Sequence, residues 1–266
     1  ISFESVREES PTKNYRYQLV DPVNVLTTYQ ADAVQYVEQA LDNRQPGPKS
    51  VLLHGVTGSG KTEVYLRALE LCIARGRRAI LLVPEISLTP QMVQQVNERF
   101  PGRVVMTHAG LSPRARFDAW WRVWEGAYDV VVGPRSALFS PIENLGLIVL
   151  DEEHEWSYKS TEVTPYYHAR DVALKLGNQL KIPVLMGSAT PDVVTYFRAR
   201  RGGHRLFRLP KRIKSTTSDK TTTSNGTSDV DNMDGLAKID IVDMREELKK
   251  GNRSPLSDEL WSALEG

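Results

Sequence analysis

The chain has 266 residues, 40% hydrophobic and 25% charged, which is ordinary globular usage and excludes a disordered chain while allowing one large domain or two small ones. Lys plus Arg total 34 and Asp plus Glu 33, a formal charge of +1, so there is no global basic character and any DNA contact must be local. One cysteine, Cys72, excludes a disulfide framework and a zinc ribbon within this chain; no run nears the roughly 20 apolar residues of a membrane span and no charged-then-apolar leader opens it, which points to the cytoplasm.

Ile1 in place of Met points to a fragment or a processed piece. Residues 1–25 have no helical or strand period and read as a lead-in or a linker from a preceding domain. From Leu26 onward, Ala33, Val34, Val37, Ala40 and Leu41 recur at helical spacing until Pro46-Gly47-Pro48 stops the helix. Short apolar runs then alternate with helical stretches: Val51-Leu52-Leu53, Ala79-Ile80-Leu81-Leu82-Val83, Val104-Val105-Met106, Val130-Val131-Val132, Leu147-Ile148-Val149-Leu150 and Val184-Leu185-Met186. Runs without polar alternation suit strands buried on both faces, so the pattern predicts an α/β fold with a mostly parallel sheet and helices on both faces. One of those helices carries Phe117, Trp120, Trp121 and Trp124 on a single face, a stripe that reads as core packing.

Residues 211–235 read as a Ser/Thr-rich disordered insertion: ten of the fifteen positions 215–229 are Ser or Thr, and none is a large apolar residue that could offset the entropy of ordering. The sequon Asn225-Gly226-Thr227 within it is a chance match. Residues 236–266 form an extension in which Ile239-Asp240-Ile241-Val242 reads as a strand and 257–264 as a helix capped by Ser257.

Gly55-Val56-Thr57-Gly58-Ser59-Gly60-Lys61-Thr62 fits the phosphate-loop pattern in full, between the run ending at Leu53 and a helix running from Lys61 toward Arg75. Its glycines let consecutive backbone N–H groups turn inward around phosphates, and the helix N-terminus adds partial positive charge. Lys61 is then placed to reach the β and γ phosphates of ATP, and the Thr62 hydroxyl to hold Mg²⁺. A structural glycine turn is the alternative, and it leaves Lys61-Thr62 at a helix start unexplained.

Asp151-Glu152-Glu153-His154 follows an apolar run, so its carboxylates emerge at a strand's C-terminal end beside the phosphate loop. Asp151 is the candidate metal ligand, through water, and Glu152 the candidate group that polarises an attacking water; an acidic surface turn is the competing reading. With Lys61 they make up the catalytic candidates. Gly187-Ser188-Ala189-Thr190-Pro191 brings two hydroxyls to the same sheet edge, although alone it reads as a strand-to-helix turn capped by Ser188 or Thr190. Trp156, Tyr158, Tyr166, Tyr167 and His168 crowd the stretch after the carboxylates, with Lys159 and Arg170 interleaved. Such a composition suits stacking on single-stranded bases while cations hold the backbone; a capping loop whose aromatics pack inward is the alternative. His54 and His108 have no ligand-like partners in sequence and read as structural histidines.

The three motifs in this order resemble the superfamily-two helicases and translocases. Through Glu63-Val64-Tyr65-Leu66, Leu82-Val83-Pro84-Glu85-Ile86-Ser87-Leu88-Thr89 and Gly133-Pro134-Arg135-Ser136-Ala137-Leu138-Phe139, the segment 26–210 closely resembles the primosomal replication-restart DNA helicases. The resemblance implies a RecA-like P-loop NTPase lobe, the first of two ATPase lobes. It implies that Gln30 reads adenine, with a helix-surface glutamine as the alternative. It implies that His154, Ser188 and Thr190 couple hydrolysis to strand movement. Ser87, Thr89, Arg135 and Ser136 would face the phosphates of single-stranded DNA, unless Arg135 pairs with a nearby carboxylate. Trp156, Tyr158, Lys159 and Arg170 would belong to an aromatic-rich loop that links DNA contact to hydrolysis.

The function implied is the ATP-binding lobe of an ATP-dependent 3′-to-5′ DNA helicase acting in replication restart and primosome assembly at stalled forks. ATP and Mg²⁺ are the implied cofactors; single-stranded and forked DNA, primosome proteins and replication-restart proteins are the implied partners, with no membrane. The family's second lobe with its arginine finger, and its cysteine-rich zinc region, are expected beyond Gly266, and its N-terminal DNA-binding domains before Ile1. Val242-Asp243-Met244-Arg245 and 257–264 would lead toward lobe two. Because an arginine finger contributes roughly 10³ to 10⁵ in rate, the isolated piece is expected to bind nucleotide and hydrolyse it poorly. A nucleotide-dependent protein-docking module without translocation is the alternative from another class. A small-molecule kinase shares the phosphate loop but gives no reason for the later motifs.

Overall fold

The computed structural model describes residues 25–45, 47–84, 90–161, 164–213 and 241–265. The chain divides into two units, Ile1–Thr217 and Ser218–Gly266. Most of residues 1–25 and 211–235, and the Ser/Thr-rich stretch within the latter, lie outside the described residues.

In the first unit, helix α1 (Thr28–Leu41) opens on a capping box in which the Thr27 side chain accepts from the Gln30 N–H and the Gln30 side chain accepts from the Thr27 N–H. Strand β1 (Ser50–Gly55) leads into helix α2 (Lys61–Ala74), and β2 (Arg78–Leu82) into α3 (Pro90–Arg99). Strand β3 (Val104–Met106), helix α4 (Pro113–Trp124) and strand β4 (Val130–Gly133) follow, then a 3-10 turn (Arg135–Phe139) and strand β5 (Leu145–Leu150). A second 3-10 turn (Trp156–Tyr158) precedes helix α5 (Ala169–Leu180), strand β6 (Val184–Ser188), helix α6 (Val193–Arg200) and strand β7 (Arg205–Leu209).

All six anticipated apolar runs form strands, and every pairing in the seven-stranded sheet is parallel, in the order β3-β4-β2-β5-β6-β1-β7. Strand β7 is an addition at the edge, where Arg205 and Arg208 break the apolar pattern that reveals the others. The two cores follow from strand alternation. Val51, Leu53, Leu81, Val132, Val149 and Leu185 point to the face covered by α1, α2 and α3, and Leu52, Ile80, Leu82, Val131, Ile148 and Met186 to the face covered by α4, α5 and α6. The fold is therefore the RecA-like α/β lobe, with the loops after β1, β4, β5 and β6 gathered at the C-terminal edge of one sheet, where ligands of open parallel sheets bind.

Helix α4 corrects one expectation. Phe117, Trp120, Trp121 and Trp124 do share a face, but that face is exposed; Val123 is the helix's buried residue, and Ala119 packs against the same core. Val123 and Ala119 are the side chains with which α4 meets the core, and the four aromatic rings project to solvent.

In the second unit, α7 (Met244–Lys249) is capped by Asp243 and α8 (Asp258–Glu265) by the Ser257 hydroxyl, which accepts from the Leu260 N–H at 3.1 Å. The buried Glu247 carboxylate ties the two by accepting from the Asp258 N–H and from Asn252. Ile241 and Val242 are not in a strand, contrary to expectation, and Ile239 and Asp240 lie outside the described residues.

Candidate functional site

The phosphate loop forms because glycine supplies backbone that other residues resist: Gly58 has φ 78° and Gly60, the N-cap of α2, φ 79°. The chain can then curl and enter α2 at Lys61 within a few residues. Lys61 is nearly buried, its Nζ donating to the Gly55 carbonyl at 3.0 Å and standing 3.6 Å from Glu152 Oε1. Inside this curl the Ser59 hydroxyl is buried with no hydrogen-bond partner. A buried polar group without a partner beside a helix N-terminus fits a site shaped for phosphate oxygens.

Gln30 is buried rather than on the helix surface: its Nε2 reaches the Ser59 and Gly60 carbonyls at 3.4 and 3.2 Å, and its Oε1 is held by Thr27. Just past β7, the Ile213 N–H donates to the Gly58 carbonyl at 2.9 Å, bringing that segment against the same loop.

Across the sheet edge, the Asp151 N–H bonds the Leu82 carbonyl and the Glu153 N–H the Gly187 carbonyl, both at 2.9 Å. Between these two anchors Glu152 has φ 44°, a left-handed backbone that a glutamate adopts at a cost of about 1–3 kcal/mol. The kink points the three carboxylates in different directions. Glu152 faces Lys61 and His154, while Asp151 turns inward, accepting from the Tyr65 hydroxyl at 3.0 Å. Burial, with Glu152 beside it, pushes the Asp151 carboxyl above the usual range, and burial keeps the Tyr65 phenol protonated as the donor. Asp151, at the end of β5, and Thr62, in the first turn of α2, carry hard oxygens, the donor type that fits Mg²⁺ with phosphate and water at its remaining positions.

Glu153 went unassigned in the sequence, yet it is fully buried and holds the neighbouring elements together. It accepts from Arg170 at 2.8 Å, from the Asp192 N–H at 2.7 Å and from the Thr195 hydroxyl at 3.1 Å. Arg170 also lies 3.4 Å from Asp192. Arg170 is therefore committed to a buried ion pair and is not a free DNA-phosphate contact. Its spacing from the carboxylates gave no sign of this, because the pairing is tertiary.

His154 stands between two motifs. Its Nδ1 is 2.7 Å from Ser188 Oγ and 3.5 Å from Glu152 Oε2, and its Nε2 is 3.3 Å from Thr190 Oγ1. The aromatic stretch splits. Trp156 is 73% exposed and Lys159 is exposed, whereas Tyr158 is buried with its hydroxyl on the Asp151 carbonyl at 2.7 Å. Tyr158 cannot stack on a base from there, so that expectation is corrected. Arg135 donates to the Ser157 carbonyl at 2.7 Å, a backbone partner in place of the carboxylate considered above, and Ser136 is exposed next to it. Ser87 and Thr89 lie outside the described residues. No helix among the described residues is long and apolar enough to cross a membrane.

Residues 27–197 match the DEAD/DEAH box helicase family. The chain is 42% identical over 264 residues to the replication restart protein PriA of Bacillus subtilis (strain 168), covering 99% of this chain and 30% of that protein. It is 47% identical over 167 residues to the replication restart protein PriA of Treponema pallidum (strain Nichols), covering 63% of this chain and 25% of that protein. The chain thus spans under a third of the length of these relatives. Among solved structures, RecG bound to a three-way DNA junction aligns with a TM-score of 0.53 at 22% identity, over 73% of this chain and 25% of that one, a likeness of fold.

Proposed function

The chain belongs to the DEAD/DEAH box helicase family, and from that premise we propose that it is the ATP-binding lobe of an ATP-dependent 3′-to-5′ DNA helicase acting in replication restart and primosome assembly at stalled forks. The observation that carries the reading is the meeting of Lys61, Glu152 and His154 at one sheet edge, with His154 in reach of both Glu152 and the Ser188–Thr190 turn. The names of the PriA relatives support the setting in replication restart.

In this reading ATP is the substrate and water attacks its γ phosphate. Lys61 lends charge to the phosphates and Glu152 orients the water. Thr62 and Asp151 would hold Mg²⁺, whose chemistry when bound is to neutralise charge on the phosphate oxygens. Gln30 lies against the loop from the side of α1 and would read adenine. His154 would pass the state of the Glu152 carboxylate to the Ser188 and Thr190 hydroxyls and so to strand movement. Trp156, Lys159 and Ser136 are the exposed candidates for single-stranded or forked DNA, with Ser87 and Thr89 as further candidates, and Arg135 braces the turn that carries Trp156. Primosome and replication-restart proteins are the proposed partners, and the cytoplasm the proposed compartment.

The test is binding and hydrolysis of ATP by the 266-residue chain with Mg²⁺, with and without single-stranded DNA, beside Glu152→Gln. The expected result is nucleotide binding by both proteins and hydrolysis, however slow, that rises with DNA and disappears in Glu152→Gln. A chain that binds no ATP, or a Glu152→Gln variant that hydrolyses as fast as the parent, overturns the reading.

A further inference from the structure

Helix α2 carries Tyr65 three residues beyond Thr62, on the side of the helix that faces the ends of β5 and β6. The ring is among the largest fully buried side chains in the molecule, and its hydroxyl has a carboxylate as its partner, Asp151 Oδ1 at 3.0 Å. Packing alone does not call for that hydroxyl, because a phenyl ring fills the same space without bringing a polar atom into the core. Strand β6 accommodates it at a cost in side-chain volume: a Cβ added to Gly187 would overlap the Tyr65 hydroxyl, so glycine is required at that point of close approach. The backbone of Asp151 is held separately, by the Tyr158 hydroxyl on its carbonyl at 2.7 Å. Two buried phenols thus hold one residue, Tyr65 at the carboxylate and Tyr158 at the main chain.

We propose that Tyr65 is a positioning residue for the metal-holding carboxylate: its phenol fixes the orientation of the Asp151 carboxylate and, because Tyr65 and Thr62 share one rigid helical turn, sets the spacing between the two Mg²⁺-holding residues. The inference rests on the reading of Asp151 as a metal ligand. A hydrogen bond from a neighbouring group fixes a ligand's orientation, and losing such a partner typically weakens metal binding by about 10-fold or more.

The test is the Mg²⁺ concentration at which a fluorescent ATP analogue reaches half of its Mg²⁺-dependent binding to the full chain. It is measured for the parent, Tyr65→Phe, Asp151→Asn, the double variant and Tyr158→Phe, together with affinity in EDTA and melting without ligand. Tyr65→Phe is expected to raise the half-saturating Mg²⁺ about 10-fold while EDTA affinity stays within about twofold, and to add nothing in the Asp151→Asn background. Tyr158→Phe removes an equally buried bond at the backbone and is expected to lower the melting temperature yet leave the Mg²⁺ requirement within about twofold. A Tyr65→Phe requirement like the parent's, an equal loss on top of Asp151→Asn, or the same shift in Tyr158→Phe overturns the proposal. If Asp151→Asn itself leaves the Mg²⁺ requirement unchanged, it is the assignment of Asp151 that fails, a result separable from failure at Tyr65.

Discussion

Helix α4 and the turn after β5 both concentrate aromatic residues, and the protein treats them in opposite ways. On α4, Phe117 stacks with Trp121 and Trp120 with Trp124, ring centroids about 6 Å apart, yet all four lie exposed. After β5, Tyr158 is buried while Trp156, two residues away, stands out. The difference lies in what the opposite side of each segment offers. Among the described residues of α4 only Ala119 and Val123 meet the core, and no polar partner there draws an aromatic ring inward. Tyr158 has a polar tip, and the Asp151 carbonyl lies within the core to receive it. Periodicity reports which residues share a face; partners across the fold decide which face is buried.

The contrast is tested most severely at Arg170, which continues the aromatic stretch into α5. If this stretch is anchored through Glu153, Arg170→Ala leaves a fully buried carboxylate without its cation and lowers stability by about 3–5 kcal/mol, read by chemical denaturation. Arg122 of α4 has an exposed position over the Tyr128 ring, and Arg122→Ala is expected to change stability by less than about 1 kcal/mol. Equal losses would erase the distinction between the two regions.

A smaller effect sharpens the comparison at the aromatics themselves. Tyr158→Phe keeps the ring and orphans the Asp151 carbonyl, so a loss of about 1–3 kcal/mol is expected. Trp121→Ala removes a larger ring, together with its stacking on Phe117 and its bond to Glu125 at 2.9 Å, but at an exposed site, and a loss under about 1 kcal/mol is expected. One hydroxyl in the turn would then outweigh a whole indole on α4. The reverse ranking would mean that the stripe on α4 is part of the stabilising core after all.

The same distinction governs how much could be read from the residues alone. The phosphate loop, the six apolar strands and the meeting of Lys61 with the carboxylates were legible, because glycine geometry and strand alternation act over a few neighbouring positions. For Gln30 the resemblance implies adenine reading, and what the structure shows is its side chain on the Ser59 and Gly60 carbonyls of the phosphate loop. Glu153 and Tyr65 are not legible in the sequence: one sits beside other acidic residues and the other on the buried face of a helix, and only the partners brought by β5 for Tyr65 and by α5 and α6 for Glu153 give them roles. The pairing of Arg170 with Glu153 is hidden from the sequence for the same reason. The Glu152 kink also escaped, since nothing in the residue type announces a φ of 44°.

The finest test of the anchored region is its response to acid. His168 is the N-cap of α5, its Nδ1 accepting from the Arg170 N–H at 3.3 Å, a bond that needs the neutral ring. Burial, reinforced by Arg170, pushes its pKa below 6.5, against the opposite pull of Asp171, Glu153 and Asp192. A histidine whose folded pKa lies below its unfolded one is the more protonated in the unfolded chain. Its stabilising contribution is therefore complete above the unfolded value and is lost as the pH falls toward the folded value. Stability should decline as the pH falls below the ordinary histidine range, and His168→Asn, which keeps a capping oxygen but does not titrate, should flatten that decline. His204, buried and likewise shifted down by burial and Arg198, leaves a residual slope in the variant. An unchanged profile in His168→Asn would show that α5 is held by Glu153 and Arg170 alone, with the cap contributing nothing. A flattened one would extend the anchored region from Tyr158 through to the first turn of α5, a reach that the exposed face of α4, with no titrating cap of this kind, does not share.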